Sequence, residues 1–259
     1  MKKLDPARKG GLARIQLHGN PGTAAGRRLG GLRSVAKQKK GKTGFTLLRQ
    51  ITPPRGSPEL AELCGILAGD GHIGEYQISV TTNSETDLEH AKYVQRLFTK
   101  LFKIPVSFSV RKKQNACVVY VSSKEISNFL VRKGMVRGNK IAGALSTPTW
   151  VRARKSYTIA FIRGLFDTDG CVYTDSHKIR GRVYKNLGMA FTNRCTPLLS
   201  DFKNSLEDLG LHPTQKTSFT VFLRREKDIQ QYFAQIGSAN PKHTEKVAYY
   251  FSNKQGGVA

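Results

Sequence analysis

Two nine-residue segments of the chain place an aspartate–glycine pair after a run of small and apolar residues. They are 63–71 (LCGILAGDG) and 162–170 (IRGLFDTDG). In both, small residues recur three and four positions apart, a spacing that puts them on one face of a helix. Small residues allow two helix backbones to approach closely. We therefore expect the two helices to pack against each other at Gly65 and Gly164, with one aspartate at the end of each.

The two aspartates, Asp70 and Asp169, would then share one site. Paired carboxylates at helix C-termini repel each other and the negative ends of the helix dipoles. Such an oxygen-rich site suits a hard divalent cation, Mg²⁺ or a substitute such as Mn²⁺, and a cation there can support phosphodiester hydrolysis. One Asp-Gly pair alone would indicate only a helix end, but two copies in the same context favour a metal site. We expect Gly71 and Gly170 to end the helices with a positive φ.

The elements around these motifs follow the same order twice from Ser57 onward. Hydrophobic periodicity predicts the order helix, two strands, helix, two strands, helix in each pass. We therefore predict an α+β fold of two pseudo-symmetric αββαββα units, residues 57–152 and 153–259, that form a saddle-shaped β-sheet surface. The first hairpin of the second unit is longer, mostly through the basic segment 176–185. A pseudo-twofold molecule suits a duplex, whose strands are also related by a twofold axis.

The composition indicates a nucleic-acid partner. The chain has 43 Lys and Arg against 18 Asp and Glu, a net charge of +25, which favours work against a polyanion. Its four cysteines form no C-x-x-C pair, so neither a disulfide framework nor a zinc site is expected. No apolar run approaches the ~20 residues of a membrane span, and no secretory leader is visible. We expect a monomer without a membrane partner, in the cytoplasm near the nucleoid or in an organellar matrix.

Residues 1–56 differ from the rest of the chain. They hold fourteen basic residues and one acidic residue, Asp5, and they contain the degenerate repeat RKGGL at 8–12 and RLGGL at 28–32. An arm of this composition is typically mobile until it follows phosphates. We favour an accessory DNA-binding segment over a disordered tail or an organelle transit segment. The stretch 52–56 (TPPRG) reads as a linker.

At this point the region from about 57 to 252 resembles the single-chain LAGLIDADG homing endonucleases. The resemblance implies a strand-lined surface in the DNA major groove and metal-bound aspartates that cut both strands across the minor groove. It makes Asp70 and Asp169 the metal ligands, with backbone carbonyls of Gly69 and Thr168 as further ligands. The chain departs from the family where some members carry Gln or Lys, since it has Thr-Asn pairs at 82–83 and 192–193.

Two lysines are best placed to assist catalysis, Lys140 and Lys242, because each follows the last predicted helix of its unit. The alternative is a surface phosphate contact without chemistry. Side chains on one sheet face should read the DNA, with Arg and Lys suited to guanine and Gln to adenine, although many such residues touch only phosphates. The candidates are Tyr76, Gln77, Ser79, Thr81, Ser107, Ser109, Arg111, Lys113, Lys185, Lys216, Ser218 and Arg224.

The sequence thus predicts a homing endonuclease that makes a metal-dependent double-strand break in a long, near-palindromic DNA target. Its gene would be free-standing or lie in an intron, whose RNA would be a further partner. The alternative is a non-cleaving DNA- or RNA-binding protein of the same fold, a splicing helper or regulator; the presence of both aspartates favours the enzyme. An endonuclease inside a self-splicing protein is less favoured, because no splice-junction Cys or Ser begins the chain and no His-Asn ends it.

Overall fold

The computed structural model describes residues 6–20, 22–41 and 51–255, and the chain divides into two units, residues 1–48 and 49–259. The first unit contains helices α1 (Pro6–His18) and α2 (Ala24–Lys39). Most residues of these two helices are good helix formers. In addition, the Thr23 hydroxyl accepts a hydrogen bond from Gly26 N at 3.0 Å and so caps the start of α2.

The second unit is organised around two packed helices, α3 (Pro58–Ala68) and α7 (Lys155–Asp169). Ser57 caps α3 by accepting a hydrogen bond from Leu60 N at 3.2 Å, and Pro58 has the fixed φ that suits a first helical position. The contact is a backbone contact: a Cβ added to Gly65 would overlap the carbonyl of Phe161, and one added to Gly164 would overlap that of Glu62. Glycine at these positions therefore sets how closely the helices approach.

Each helix leads into a four-stranded antiparallel sheet. In the first sheet the spatial order is β1-β2-β4-β3, and in the second it is β5-β6-β8-β7. The strands are β1 (Gly71–Ile73), β2 (Gln77–Asn83), β3 (Ser107–Arg111), β4 (Ala116–Ser122), β5 (Gly170–Ile179), β6 (Arg182–Thr192), β7 (Thr214–Thr217) and β8 (Thr220–Leu223). The identical order confirms the predicted α+β fold of two repeated units. The basic segment 176–185 lengthens β5 and β6 rather than forming a separate loop.

The other helices pack around α3, α7 and these sheets. They are α4 (Leu88–Phe102), α5 (Lys124–Arg132), α6 (Thr149–Arg152), α8 (Thr196–Asp208), α9 (Glu226–Gln235) and α10 (Pro241–Gln255). The sequence reading missed α6 and α10. For α10 the signal was present, because a proline begins it and Val247, Tyr250 and Phe251 recur at helical spacing and pack on the core.

Replacing Gly65 with alanine is expected to lower the free energy of unfolding by about 2 kcal/mol, because the added methyl forces apart two helices in backbone contact. Urea denaturation measures the change. Gly56→Ala is the matched control, since its Cβ would meet the Tyr157 ring at an ordinary 3.7 Å, and a change below about 0.5 kcal/mol is expected. Equal stability of the two variants would contradict this packing.

Candidate metal centre and nucleic-acid interface

Asp70 and Asp169 lie together where α3 and α7 end. Asp169 is the last residue of α7, and Asp70 lies two positions beyond α3. A Cβ built on Gly69 would overlap the Thr168 side chain and lie 3.3 Å from Asp169 Oδ2. The second carboxylate therefore reaches the backbone that carries the first.

The two carboxylates are half-buried, and their charges are poorly compensated. Burial and, second, the charge of Asp169 raise the pKa of Asp70 to about 6. Burial also raises the pKa of Asp169, although Asn193 opposes this by donating a hydrogen bond from Nδ2 to Asp169 Oδ2 at 2.7 Å. The Asp70 carboxylate accepts no hydrogen bond from the part of the chain that the structure describes. A divalent cation would relieve this repulsion.

The donor set fits Mg²⁺ better than zinc. Among residues 6–20, 22–41 and 51–255 there is no cluster of three or more His, Cys, Asp and Glu side chains, as a structural zinc site would need. Mg²⁺ uses one or two carboxylates together with water and substrate phosphate. Of the two predicted carbonyl ligands, that of Gly69 accepts a hydrogen bond from Lys140 Nζ. The Thr168 hydroxyl turns back to donate to Leu165 O at 2.9 Å.

The glycines after the aspartates have a different role from the predicted one. Neither Gly71 nor Gly170 has a positive φ, and Gly170 is extended, with φ −90° and ψ 157°. A Cβ on Gly71 would instead approach Leu67 O to 2.6 Å, and one on Gly170 would collide with Phe166. Glycine is needed here because the chain turns back tightly along its own helix, so the expectation of left-handed conformations was wrong.

Lys140 flanks the first aspartate. Its Nζ donates to the carbonyls of Gly69 and, at 3.0 Å, of Gly71, which lie on either side of Asp70. Burial lowers the pKa of Lys140, and the charges of Asp169 and Asp70 oppose that shift. Its nitrogen forms no ion pair with a carboxylate among the residues described. It therefore sits beside the paired acids with its charge only partly compensated.

Lys242 is held differently, by an ion pair of 2.7 Å between its Nζ and Asp87 Oδ1. Asp87 also accepts hydrogen bonds from Asn240 Nδ2 at 2.6 Å and from Thr86 Oγ1 at 2.8 Å. Burial alone would raise the pKa of Asp87, but the bonds from Lys242, Asn240 and Thr86 outweigh it and hold the pKa below its usual value. Lys242 still contributes to the field at Asp70.

The segments that carry the two lysines cross between the repeats. The one after α5 contacts the second repeat, where Cys195 Sγ donates to Leu145 O at 3.1 Å. The segment at the start of α10 contacts the first repeat, where Asn240 and Lys242 bind Asp87. Asp87 and Cys195 occupy equivalent positions, at the N-caps of α4 and α8. The repeats thus share a scaffold but differ at the residue that meets the opposite segment.

Two histidines lie buried behind Lys242. His90 and His243 are each 1% exposed, and His90 Nε2 and both ring nitrogens of His243 have no hydrogen-bond partner among the described residues. Burial lowers the pKa of His90 to about 4 and that of His243 to about 3, the latter with help from Lys242. Both rings are therefore neutral near neutral pH.

The outer face of the first sheet is polar. Residues opposite each other in antiparallel strands project to the same side, and buried Ile78, Val80 and Val119 mark the inner side. Six of the predicted DNA-contacting residues lie on the outer face, and they are Gln77, Ser79, Thr81, Ser107, Ser109 and Arg111. Lys113 is exposed in the 3₁₀ turn Lys112–Gln114 that follows β3.

The second sheet agrees less well with the sequence reading. Arg224 stacks on Phe222, with its guanidinium carbon 4.8 Å from the ring centroid. Lys216 lies in a bulge of β7 and Ser218 in the turn that follows. Lys185 was predicted to lie on the DNA-contacting face, and this was wrong. It lies on the same side of β6 as buried Leu187. Together with residues of α10, Lys185 lines a groove. The side chains of β6 continue to alternate beyond the core, and this alternation keeps Lys185 on the inner side.

Sequence reasoning missed three outward-facing aromatic side chains and one polar contact. His72 and Tyr120 both lie opposite Ser79 on the outer face of the first sheet, and Tyr173 lies outward between Val172 and Thr174 on the second. Alternation with buried neighbours was the available signal for all three. The bond from Asn193 to Asp169 had no such signal, because it depends on how β6 meets α7.

A family model described as a LAGLIDADG-like domain matches residues 57–134 and 156–243, one match in each repeat. The chain belongs to the LAGLIDADG family. This confirms the resemblance read from the two aspartate–glycine segments. The matched regions contain Asp70, Asp169 and Lys242, whereas Lys140 lies between them.

The chain also matches segments of longer proteins. The ribonucleoside-diphosphate reductase NrdEB subunit alpha of Bacillus subtilis (strain 168) is 27% identical over 190 residues, which cover 67% of this chain and 17% of that protein. The tRNA-splicing ligase RtcB of Methanopyrus kandleri is 23% identical over 216 residues, which cover 73% and 21%. The chain spans about a fifth of the length of these relatives.

Comparison with solved structures finds one with the same fold and others that are less similar. I-SmaMI bound to an uncleaved DNA target in the presence of calcium ions has a TM-score of 0.52 and 13% identity, covering 78% of this chain and 93% of that one. Mesophilic variants of the homing endonuclease I-DmoI have a TM-score of 0.45 and 18% identity, covering 70% and 95%. Within the part of the chain that the structure describes, no helix combines the length and apolar character needed to cross a membrane.

Replacing His243 with leucine is expected to flatten the pH dependence of stability. The folded state resists protonation of His243 down to about pH 3, whereas the unfolded chain takes up this proton below its usual pKa of ~6.5. The depressed pKa contributes stability above ~6.5 that is lost as the pH falls, by about 1.4 kcal/mol per pH unit.

Urea denaturation at about pH 7 and about pH 5 checks this expectation. The unmodified protein should lose about 2 kcal/mol more than the His243→Leu protein over this interval, because only the former has this proton to bind on unfolding. The comparison cancels the opposite contributions of the acidic groups common to both proteins. Parallel pH profiles would show that His243 is not buried in its neutral form.

Proposed function

We propose that residues 57–255 form a site-specific endonuclease that cuts both strands of a long, near-palindromic duplex with a divalent cation. The observation that carries this proposal is the shared site of Asp70 and Asp169. Each aspartate immediately precedes the first strand of a sheet, since β1 begins at Gly71 and β5 at Gly170. The first strand of each sheet thus follows its aspartate directly, without an intervening loop.

In this proposal Asp70 and Asp169 hold the cation, Mg²⁺ or Mn²⁺, with the carbonyls of Gly69 and Thr168 as further ligand candidates. The cation, when bound, supplies a site at which water is activated and phosphate charge is stabilised. Asn193 orients Asp169 through its hydrogen bond. Lys140 would move from its carbonyl partners toward the incoming phosphate, because an ammonium–phosphate bond is stronger than a bond to a neutral carbonyl.

DNA as the substrate is supported by charge and by fold. The net charge of +25 favours a polyanion, and I-SmaMI, which shares the fold, has been solved on a DNA target with calcium ions. We propose that the outer sheet faces contact bases and that the turn residues Lys113, Lys216 and Ser218 contact phosphates. The place of action would be wherever the target DNA lies, in the nucleoid or an organellar matrix.

Replacing either aspartate with asparagine is expected to lower the cleavage rate by at least about a hundred-fold, because an amide holds a divalent cation poorly. The joined sequences that flank the reading frame provide the duplex, and the assay measures nicked and linear products with Mg²⁺. Affinity should change by less than about three-fold, since it rests on many phosphate contacts. Cleavage at the original rate by Asp70→Asn or Asp169→Asn would rule out this centre.

The two lysines should contribute unequally. Lys140→Met is expected to slow cleavage by about a hundred-fold, and Lys242→Met by about ten-fold or less, because the charge of Lys242 is already compensated by Asp87. Single-turnover rates on both labelled strands measure this difference. Equal losses for the two variants would contradict unequal roles, and no loss for either would leave the lysines as phosphate contacts only.

The alternative, a non-cleaving DNA- or RNA-binding protein of the same fold, predicts tight and specific binding without strand breaks under any divalent cation. The same assay decides between the two functions. We also propose that the gene is free-standing or lies in an intron, with intron RNA as a second partner. The matches within longer proteins show that related segments also occur inside larger chains.

A further inference from the structure

The groove between α1 and α2 has the features of a second binding site. It has a volume of about 680 Å³. Basic side chains line its walls, and they are Arg14, His18, Arg33 and Lys37. Gly11 and Gly30, one from each copy of the sequence repeat, line it without contributing a side chain. We propose that this groove binds the phosphodiester backbone of duplex DNA, independently of cleavage by the second unit.

Charge identifies the occupant. Residues 1–48 contain twelve Lys and Arg and one acidic residue, Asp5. None of the basic side chains described in α1 and α2 forms an ion pair with a carboxylate among the described residues. The Arg33 guanidinium instead donates to the carbonyl of Leu17 at the end of α1 and contacts His18 Nδ1 at 3.2 Å. A groove whose cations lack internal anions is complementary to a regularly spaced polyanion.

The glycines give a second and independent indication. Gly10, Gly11, Gly30 and Gly31 lie within helices, where glycine is destabilising relative to alanine. A Cβ at any of the four would find nothing within 4 Å. Packing inside this unit therefore does not require them, in contrast to Gly65 and Gly164. At Gly11 and Gly30 the missing side chains leave the helix backbone open to a ligand in the groove.

The two helices also bury little apolar surface of their own. Leu12 is 49% exposed, Leu17 64% and Leu32 61%. A helical pair with so small a core gains stability when a partner binds its folded form. Binding in the groove should therefore slow amide hydrogen exchange in 6–41, a readout that does not depend on cleavage.

The experiment uses the full chain and a duplex of about 30 base pairs, without divalent cations so that no strand is cut. The groove variant is Gly11→Gln with Gly30→Gln. The matched control is Gly10→Gln with Gly31→Gln, which makes the same change outside the groove lining. The groove variant should weaken binding by at least about five-fold, whereas the control should stay within about two-fold. Equal weakening by both variants would overturn the proposal.

A charge variant, Arg14→Gln with Lys37→Gln, tests the phosphate contacts directly. The slope of log affinity against log salt between about 50 and 200 mM should become shallower by about 1.8, since each lost contact contributes about 0.9. Hydrogen exchange in 6–41 should slow on DNA addition in the control and not in the groove variant. An unchanged slope, or no binding by the unmodified chain, would overturn the proposal.

A single-stranded RNA of the same length is the competing ligand, and tighter binding of RNA than of the duplex would overturn the assignment to duplex DNA. The cleavage rate at saturating protein should be the same in all of these variants, because they lie outside the second unit. If the chain binds through the groove but never cuts, the proposed nuclease function fails while this inference stands.

Discussion

The backbone contact between α3 and α7 is the constraint on which the proposed chemistry depends. Gly65 and Gly164 leave no room for a side chain between the helices, so the helices end side by side and deliver Asp70 and Asp169 to one place. Gly69, just after α3, is also in close contact with α7. Any side chain at this position would displace Thr168 and approach Asp169. The charge repulsion at the site is thus a consequence of packing, and packing in the rest of the core must outweigh it.

The repeats are equivalent in their scaffold and unequal in their polar contacts. Both sheets have the same strand order, and both lysine-bearing segments cross to the opposite repeat. Where one segment meets Cys195, the other meets Asp87, whose carboxylate binds Lys242. Two copies within one chain can diverge in this way, whereas two identical subunits cannot. An asymmetric site is therefore available to this chain without loss of the fold.

The sequence was sufficient for features that depend on short-range periodicity. The duplicated aspartate–glycine segments predicted the packed helix pair, and alternating strands predicted which residues of β2 and β3 project outward. It was insufficient where the outcome depends on tertiary contacts. The inner orientation of Lys185 follows from the long pairing of β5 with β6. The role of Gly71 follows from the path of the chain along its own helix. The Asp87–Lys242 pair follows from a segment that crosses between the repeats.

The distribution of charge separates two tasks within the chain. The first 48 residues carry a net charge of +11, nearly half of the total +25 in less than a fifth of the length. Eight of their twelve basic residues lie on two helices with little core, so this charge contributes to attraction more than to a rigid site. The second unit is different, because its large buried core holds two half-buried acids against each other. Affinity can be distributed over many screened contacts, whereas hydrolysis requires atoms held in one geometry. A loosely packed basic unit joined to a tightly packed one meets both requirements without weakening the core.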